Sequence, residues 1–107
     1  GNVQVAHTVL DYIVRLCEET RNSDLVELGV SPRGIIALTR MARACALIRE
    51  RDYVVPEDVR EVFKVVCAHR LVLRPQARIE SITAEDVLDR ILAAVPAPSM
   101  GRVRGRS

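Results

Sequence analysis

Aromatic side chains are scarce in this chain, which holds two tyrosines, one phenylalanine and no tryptophan among 107 residues. Because 49% of the residues are nonetheless hydrophobic, the core must be aliphatic and built from valine, isoleucine, leucine and alanine. The length is typical of one domain and suffices for a modest core. No helix face combines arginines with aromatics, which argues against a nucleic-acid-binding surface of that kind.

Long apolar runs and paired cysteines are absent as well. No apolar stretch approaches the ~18 residues that span a bilayer, and the N-terminus lacks the layout of a signal peptide. Cys17, Cys45 and Cys67 are odd in number, and none forms a C-x-x-C pair. This usage predicts reduced thiols in the core of a cytoplasmic protein, rather than a disulfide framework or a zinc site.

A large excess of charge is also lacking. The formal net charge is +2, and Arg102, Arg104 and Arg106 lie near the C-terminus without an acidic neighbour. The rest of the chain therefore carries −1, which gives no global case for binding nucleic acid. We expect a domain over residues 1–98 and a disordered basic tail over residues 99–107, where glycine, arginine and serine predominate.

Sequence motifs for catalysis are missing. A phosphate-binding loop of the form G-x-x-x-x-G-K-[ST] is excluded, because the glycines lie at Gly1, Gly29, Gly34, Gly101 and Gly105. The chain has no H-E-x-x-H motif and no metal-ligand spacing of cysteine and histidine, so no metal site is predicted. Ser31 has neither a nearby histidine nor elbow glycines, which excludes a serine hydrolase. Taken alone, the chain holds no complete catalytic site.

The chain does contain clear helical periodicity. Apolar residues recur at helical spacing in four segments, which predict helices over Val5–Thr20, Pro32–Arg51, Pro56–Leu71 and Thr83–Val95. The links are short, and no convincing sheet is expected. The longest irregular piece is Arg74–Ser81, with Pro75 as a helix breaker. The predicted fold is all-α, a small bundle of four helices or slightly more.

The second predicted helix has the most regular pattern. Its apolar stripe, which we expect to face the core, comprises Ile35, Leu38, Met41, Ala42, Cys45 and Ile48. Arg40, Arg43 and Arg49 lie mostly off this stripe. We interpret these arginines as a solvated basic face.

The start of this second helix is unusual. Ser31 is a suitable N-cap, and Pro32 suits the first helical position, where its missing N–H costs nothing. Arg33 follows in the first turn, although the N-terminal end of the helix dipole repels a cation. A phosphate would suit both the exposed amides and the guanidinium. The alternative is a solvated surface arginine. The connector Leu25–Val30 is apolar enough to pack on the domain, and Gly29 provides its turn.

The two later helix starts carry acidic residues. Pro56 begins the third helix, and Glu57 and Asp58 lie in its first turn, where acids favour the dipole. Val55 at the cap position offers no side-chain cap. We interpret the two acids as helix-dipole residues rather than as acid–base catalysts. The fourth helix opens on T-A-E-D, which is close to a capping box.

Three longer stretches together carry a family resemblance: LGVSPRG, IIALTRMARACALIRERDYVVPEDV and FKVVCAHRLVL. The combination resembles the C-terminal lid of a MoxR-type AAA+ ATPase over most of residues 5–96, including the closing ILAAVPAP. The resemblance implies that Arg33 is the sensor-2 arginine, which reaches the γ-phosphate of ATP. It also implies that Ser31 and Pro32 lie beside Arg33 at the nucleotide.

The resemblance further implies what lies outside this chain. The P-loop, the Walker B acids, sensor 1 and the arginine finger belong to an upstream core domain, which would hold most of the ATP and the Mg²⁺. The full-length protein would hydrolyse ATP in a ring of subunits, a hexamer, and this fragment alone should be inactive. Such proteins resemble chaperones that remodel or mature client complexes, often with a von Willebrand A-domain partner. No membrane or nucleic-acid partner is expected.

The sequence departs from the family pattern at two positions. Relatives often carry threonine where this chain has Val55, and alanine where it has Gly34. Two rival interpretations stay open. The closer rival is a magnesium-chelatase-type lid, which has similar helices and a similar terminal H-R. The more distant rival is a histone-fold-like helical module that binds DNA or protein. A third alternative is a helical interaction domain without a nucleotide role.

Overall fold

The computed structural model describes residues 2–99. Its elements are α1 (His7–Asn22), β1 (Val26–Leu28), α2 (Pro32–Ile48), α3 (Pro56–Cys67), a single 3-10 turn (Ala68–Arg70), β2 (Val72–Leu73), α4 (Pro75–Ile79) and α5 (Ala84–Ala94). The all-α fold class is confirmed, and each of the four predicted helices is present. The basic tail predicted from residue 99 onward lies, beyond Ser99, outside the described residues.

The core is aliphatic and is formed by α1, α2, α3 and α5. It surrounds Phe63, the largest fully buried side chain, and includes Ile13, Leu16, Leu38 and Leu88. Full burial of each such side chain contributes about 1.5–3 kcal/mol. The scarcity of aromatics therefore leaves a core in which one phenylalanine is surrounded by smaller aliphatic groups.

A two-stranded sheet and the short helix α4 were not predicted. β1 and β2 form an antiparallel two-stranded sheet in which Val26 pairs with Leu73 and Leu28 pairs with Val72. The expectation of no sheet was wrong, because strands of three and two residues are too short to show an alternating pattern. The irregular segment was also wrong in part, since Pro75 begins α4 instead of breaking a helix. Proline suits that first position because its φ is helical and its missing N–H has no partner there.

The apolar stripe predicted for α2 is only partly buried. The buried face of α2 consists of Gly34, Leu38, Ala42 and Ala46. Met41 and Ile48, both placed in the stripe, are 43% and 81% exposed, so this part of the prediction was wrong. Small residues on the buried face of α2 let neighbouring helices approach closely. The apolar stripe is wider than the surface that these helices cover, so its edges stay exposed.

A buried ion pair joins the end of α2 to the start of α3. Asp58 is fully buried, and its two carboxylate oxygens accept hydrogen bonds from Arg51 at 2.6 and 2.7 Å. The Val55 N–H also donates to this carboxylate at 2.9 Å. Burial raises the pKa of Asp58, but the hydrogen bonds from Arg51 and Val55 outweigh burial and leave the pKa below its usual value. Asp58 is therefore a structural anchor and not only a helix-dipole residue.

The N-terminal segment is fixed to the same junction. The Gln4 N–H donates to the Asp52 carbonyl at 2.8 Å, and the Val54 N–H donates to the Gln4 carbonyl at 2.9 Å. These two hydrogen bonds form an isolated parallel β-bridge between Gln4 and Tyr53. The polypeptide that enters α1 is consequently held against the link between α2 and α3.

All three cysteines are free thiols. Cys17 on α1 and Cys67 on α3 are both fully buried. Cys45 is only half-buried, so the prediction of core thiols holds for two of the three. Burial and the neighbouring Asp58 raise the pKa of the Cys45 thiol.

Candidate functional site

The first turn of α2 is uncapped by side chains. Ser31 is the N-cap residue of α2, as predicted, and has the extended backbone of that position, but its hydroxyl makes no capping hydrogen bond. Its carbonyl instead accepts from the N–H groups of Gly34 and Ile35 at 2.9 and 3.1 Å. Pro32 occupies the start of the helix as predicted. Because Pro32 has no N–H and the two amides after Arg33 donate to Ser31, the Arg33 N–H is the first-turn amide left for an outside acceptor.

Arg33 lies on the surface of this first turn. Its side chain is exposed, and among residues 2–99 it makes no hydrogen bond or ion pair. The first turn of α2 contains no acidic residue. The positive charge of Arg33 therefore adds to the positive N-terminal end of the helix dipole. This arrangement favours a bound anion such as phosphate.

A close approach at Gly34 brings a second arginine to this turn. A Cβ at position 34 would lie 2.5 Å from Cγ1 of Val30 and 3.2 Å from Cδ of Arg70. Only glycine leaves room for both neighbours. The local sequence pattern gives no sign of this proximity, because the contact joins residues 36 positions apart in the chain.

A groove runs along the exposed side of α2 from the turn that holds Arg33. Ala37 and Arg40 follow Arg33 at spacings of four and seven residues, so all three share one helix face. The groove, of about 620 Å³, is lined by Ala37, Arg40, Met41, Val65, Val66, His69 and Arg70. Met41 and Val65 in this groove are 43% and 65% exposed. A concentration of exposed apolar side chains is typical of a surface that contacts another domain or protein.

The described residues offer neither a metal site nor a membrane-spanning helix. Within residues 2–99, no three His, Cys, Asp or Glu side chains are grouped so as to hold a metal ion. In the same part of the chain, no helix combines the length and the apolar character needed to cross a bilayer.

Comparison with known families identifies the class of domain. The model of the AAA lid domain family matches residues 18–91, and the chain belongs to that family. The match includes the whole of α2 with Ser31, Pro32 and Arg33. It replaces the histone-fold-like module that the sequence had left open.

Individual relatives narrow the class to the MoxR type. The chain is 39% identical to Chaperone MoxR1 of Mycobacterium tuberculosis, over 96% of this chain and 30% of MoxR1. It is 42% identical to the uncharacterized protein YeaC of Bacillus subtilis, over 91% of this chain and 30% of YeaC. The crystal structure of a candidate ATPase from Cytophaga hutchinsonii superposes with a TM-score of 0.85 at 30% identity, over 92% of this chain and 32% of that one.

These comparisons also give the scale of the chain. It spans about 30% of the length of the curated relatives that it matches. The lid is thus one part of proteins that are about three times longer. The MoxR relatives favour the MoxR type over the magnesium-chelatase type.

Proposed function

We propose that Arg33 is the sensor-2 arginine of a MoxR-type ATPase, in which it contacts the γ-phosphate of ATP. The observation that supports this role most directly is the free, exposed guanidinium in an uncapped first turn of α2. An arginine at the positive end of a helix is mildly unfavourable without an anion, and a phosphate removes that penalty. Ser31 and Pro32 set the start of the helix and lie beside the phosphate.

The chemistry assigned to this chain is limited to charge stabilisation. The guanidinium and the backbone N–H of Arg33 fit a phosphate group, since no carboxylate lies in that turn. ATP supplies the transferable phosphoryl group, and it would be held with Mg²⁺ mainly by the core domain of the full-length protein. Arg33 would stabilise the negative charge that develops on the phosphoryl oxygens. On its own, this chain is expected to hydrolyse no ATP.

The exposed face of α2 supports a coupling role. Arg33 shares that face with the apolar groove, so one surface of the lid would meet both the nucleotide and the remaining protein. Loss of the γ-phosphate would remove the contact of Arg33 and release the lid. A ring of subunits, proposed to be a hexamer, would convert that movement into remodelling or maturation of a client complex.

Location and partners follow from the same assignment. Three free thiols favour a cytoplasmic location, where thiols stay reduced. A von Willebrand A-domain protein is the proposed partner of the ring. Nucleic acid is not, because the charge of the chain without its C-terminal arginines is close to neutral.

The decisive experiment is Arg33→Ala in the full-length protein, with Arg43→Ala as the matched control on the same helix. We expect turnover of ATP to fall at least about a hundredfold, because arginines that stabilise a transferred phosphoryl group contribute several orders of magnitude. ATP affinity should fall while ADP affinity stays unchanged. Arg43 is exposed and lies ten residues, or about 15 Å along the helix, from Arg33, so its removal should leave turnover intact. Unchanged turnover in Arg33→Ala would refute the assignment.

A further inference from the structure

The last turn of α1 carries a buried hydroxyl that reaches the loop before α2. Thr20 is one of two polar or charged residues that are buried within the described part of the chain. Its hydroxyl donates a hydrogen bond to the Cys17 carbonyl at 2.6 Å. The same oxygen accepts a hydrogen bond from the Val30 N–H at 2.9 Å. One side chain thus connects the end of α1 to a residue ten positions later.

The neighbouring residue binds the other polar group of Val30. The Nε of Arg21 donates to the Val30 carbonyl at 3.1 Å. The N–H and the C=O of Val30 are therefore both held by adjacent side chains of one helix turn. The Val30 side chain is itself fully buried, so three independent contacts fix this residue.

Gly29 makes this arrangement possible. A Cβ at position 29 would lie 2.7 Å from Cγ of Arg21, 2.8 Å from the backbone nitrogen of Arg21 and 2.8 Å from the Thr20 hydroxyl. Real Cβ atoms do not approach other atoms so closely, so any side chain here would displace the loop from α1. Gly29 is therefore required because the loop packs closely on Thr20 and Arg21 of α1, and not only because the chain turns there.

The residues that precede Gly29 in the chain are also held in place. The Arg74 N–H donates to the Leu25 carbonyl at 2.8 Å, and the Nε of Arg74 donates to the Val26 carbonyl at 3.2 Å. The small sheet therefore holds residues 25–28, and the contacts from α1 hold Val30. Only two residues separate Val30 from Arg33, so a shift of Val30 is transmitted to the first turn of α2.

We propose that Thr20 and Arg21 are positioning residues, which hold the backbone of Val30 and thereby place Arg33 against the phosphate of the nucleotide. This inference rests on the function proposed above for Arg33. The physical reason is that catalysis depends on placement, and a misplacement of about 1 Å can lower a rate about a hundredfold. A lid that turns as a rigid unit needs its phosphate-binding residue fixed to the body of the lid.

The test uses the full-length protein and four variants. Thr20→Val keeps the shape and removes the hydroxyl, whereas Thr20→Ser retains it. Arg21→Met keeps the aliphatic stem and removes the hydrogen bond to the Val30 carbonyl. The matched control is Thr39→Val on α2, because the Thr39 hydroxyl donates only to the Ile35 carbonyl of its own helix.

Two readouts separate positioning from general stability. Hydrogen exchange of the Val30 amide reports the contact itself, and we expect it to become at least about tenfold faster in Thr20→Val. Turnover of ATP should fall about ten- to a hundredfold in Thr20→Val and less in Arg21→Met, with ADP affinity unchanged. Thr20→Ser should restore most of the rate, and Thr39→Val should resemble the wild type.

A double mutant completes the experiment. If Thr20 acts through Arg33, then Thr20→Val should lower turnover no further in an Arg33→Ala background. An additive loss, or unchanged turnover in Thr20→Val when Arg33→Ala is impaired, overturns the positioning role. Unchanged exchange at Val30 overturns the contact itself. If Arg33→Ala is fully active, the sensor assignment fails with the positioning role, and the exchange data show separately whether the contact exists.

Discussion

Replacing Asp58 by asparagine tests the anchor between α2 and α3. The aspartate is fully buried and accepts three hydrogen bonds, two from Arg51 and one from the Val55 N–H. Asparagine has nearly the same shape but only one acceptor oxygen. Its amide nitrogen would face the guanidinium or the Val55 N–H, which places a donor against a donor.

The expected loss of stability can be estimated from this geometry. Breaking a buried ion pair by removing one partner costs about 3–5 kcal/mol, because the remaining charge is left without compensation. The Arg51 side chain is 22% exposed and can reach water, which favours the lower end of that range. A domain of this size loses about 4–8 °C of Tm per kcal/mol. We therefore expect Asp58→Asn to lower the Tm by roughly 12–24 °C.

Thermal unfolding followed by circular dichroism measures this effect, with Asp86→Asn as the control. Asp86 is an exposed aspartate in the first turn of α5, where it accepts a hydrogen bond from the Thr83 N–H at 3.0 Å. It has the same residue type and helix position as Asp58 without the burial. A Tm of Asp58→Asn within a few degrees of the Asp86→Asn value would refute the anchoring role.

Further predictions concern pH and the packing of Gly34. The pKa of Asp58 is lowered in the folded state, so its contribution is fully present above about pH 4 and is lost as pH falls through the folded pKa. Urea unfolding from pH 7 to 2 should therefore show the wild type and Asp58→Asn converging in acid, and a constant difference would contradict this origin. Gly34→Ala gains about 1 kcal/mol of helix propensity but forces a Cβ to within 2.5 Å of Val30, at a cost of about 1–3 kcal/mol. We expect a net loss of stability in urea unfolding, and less than additive loss when Val30→Ala is combined with it. A stabilised Gly34→Ala would show that Val30 moves without cost.

Much of the site could be predicted because it depends on local order. Pro32 at the start of α2 and Arg33 in the first turn follow from positions along one helix, and the structure confirms this placement. Ser31 occupies the N-cap position as predicted, but its hydroxyl makes no capping hydrogen bond, since a suitable residue type does not fix the side-chain rotamer. The apolar stripe of α2 was too wide for a similar reason. Periodicity shows which side chains share a face, but only packing decides how much of that face is covered.

The chain by itself determined the four long helices, the aliphatic core, the family resemblance and the cation at the start of α2. These features follow from spacing, composition and helix-end chemistry, which act over a few residues. Only the tertiary structure decided that Thr20 and Arg21 hydrogen-bond to Val30 and that Asp58 is buried. It also decided that neighbouring atoms leave no room for a side chain at Gly29 and Gly34. These contacts join segments that are distant in sequence, and they form only when the helices pack, so no local pattern encodes their distances.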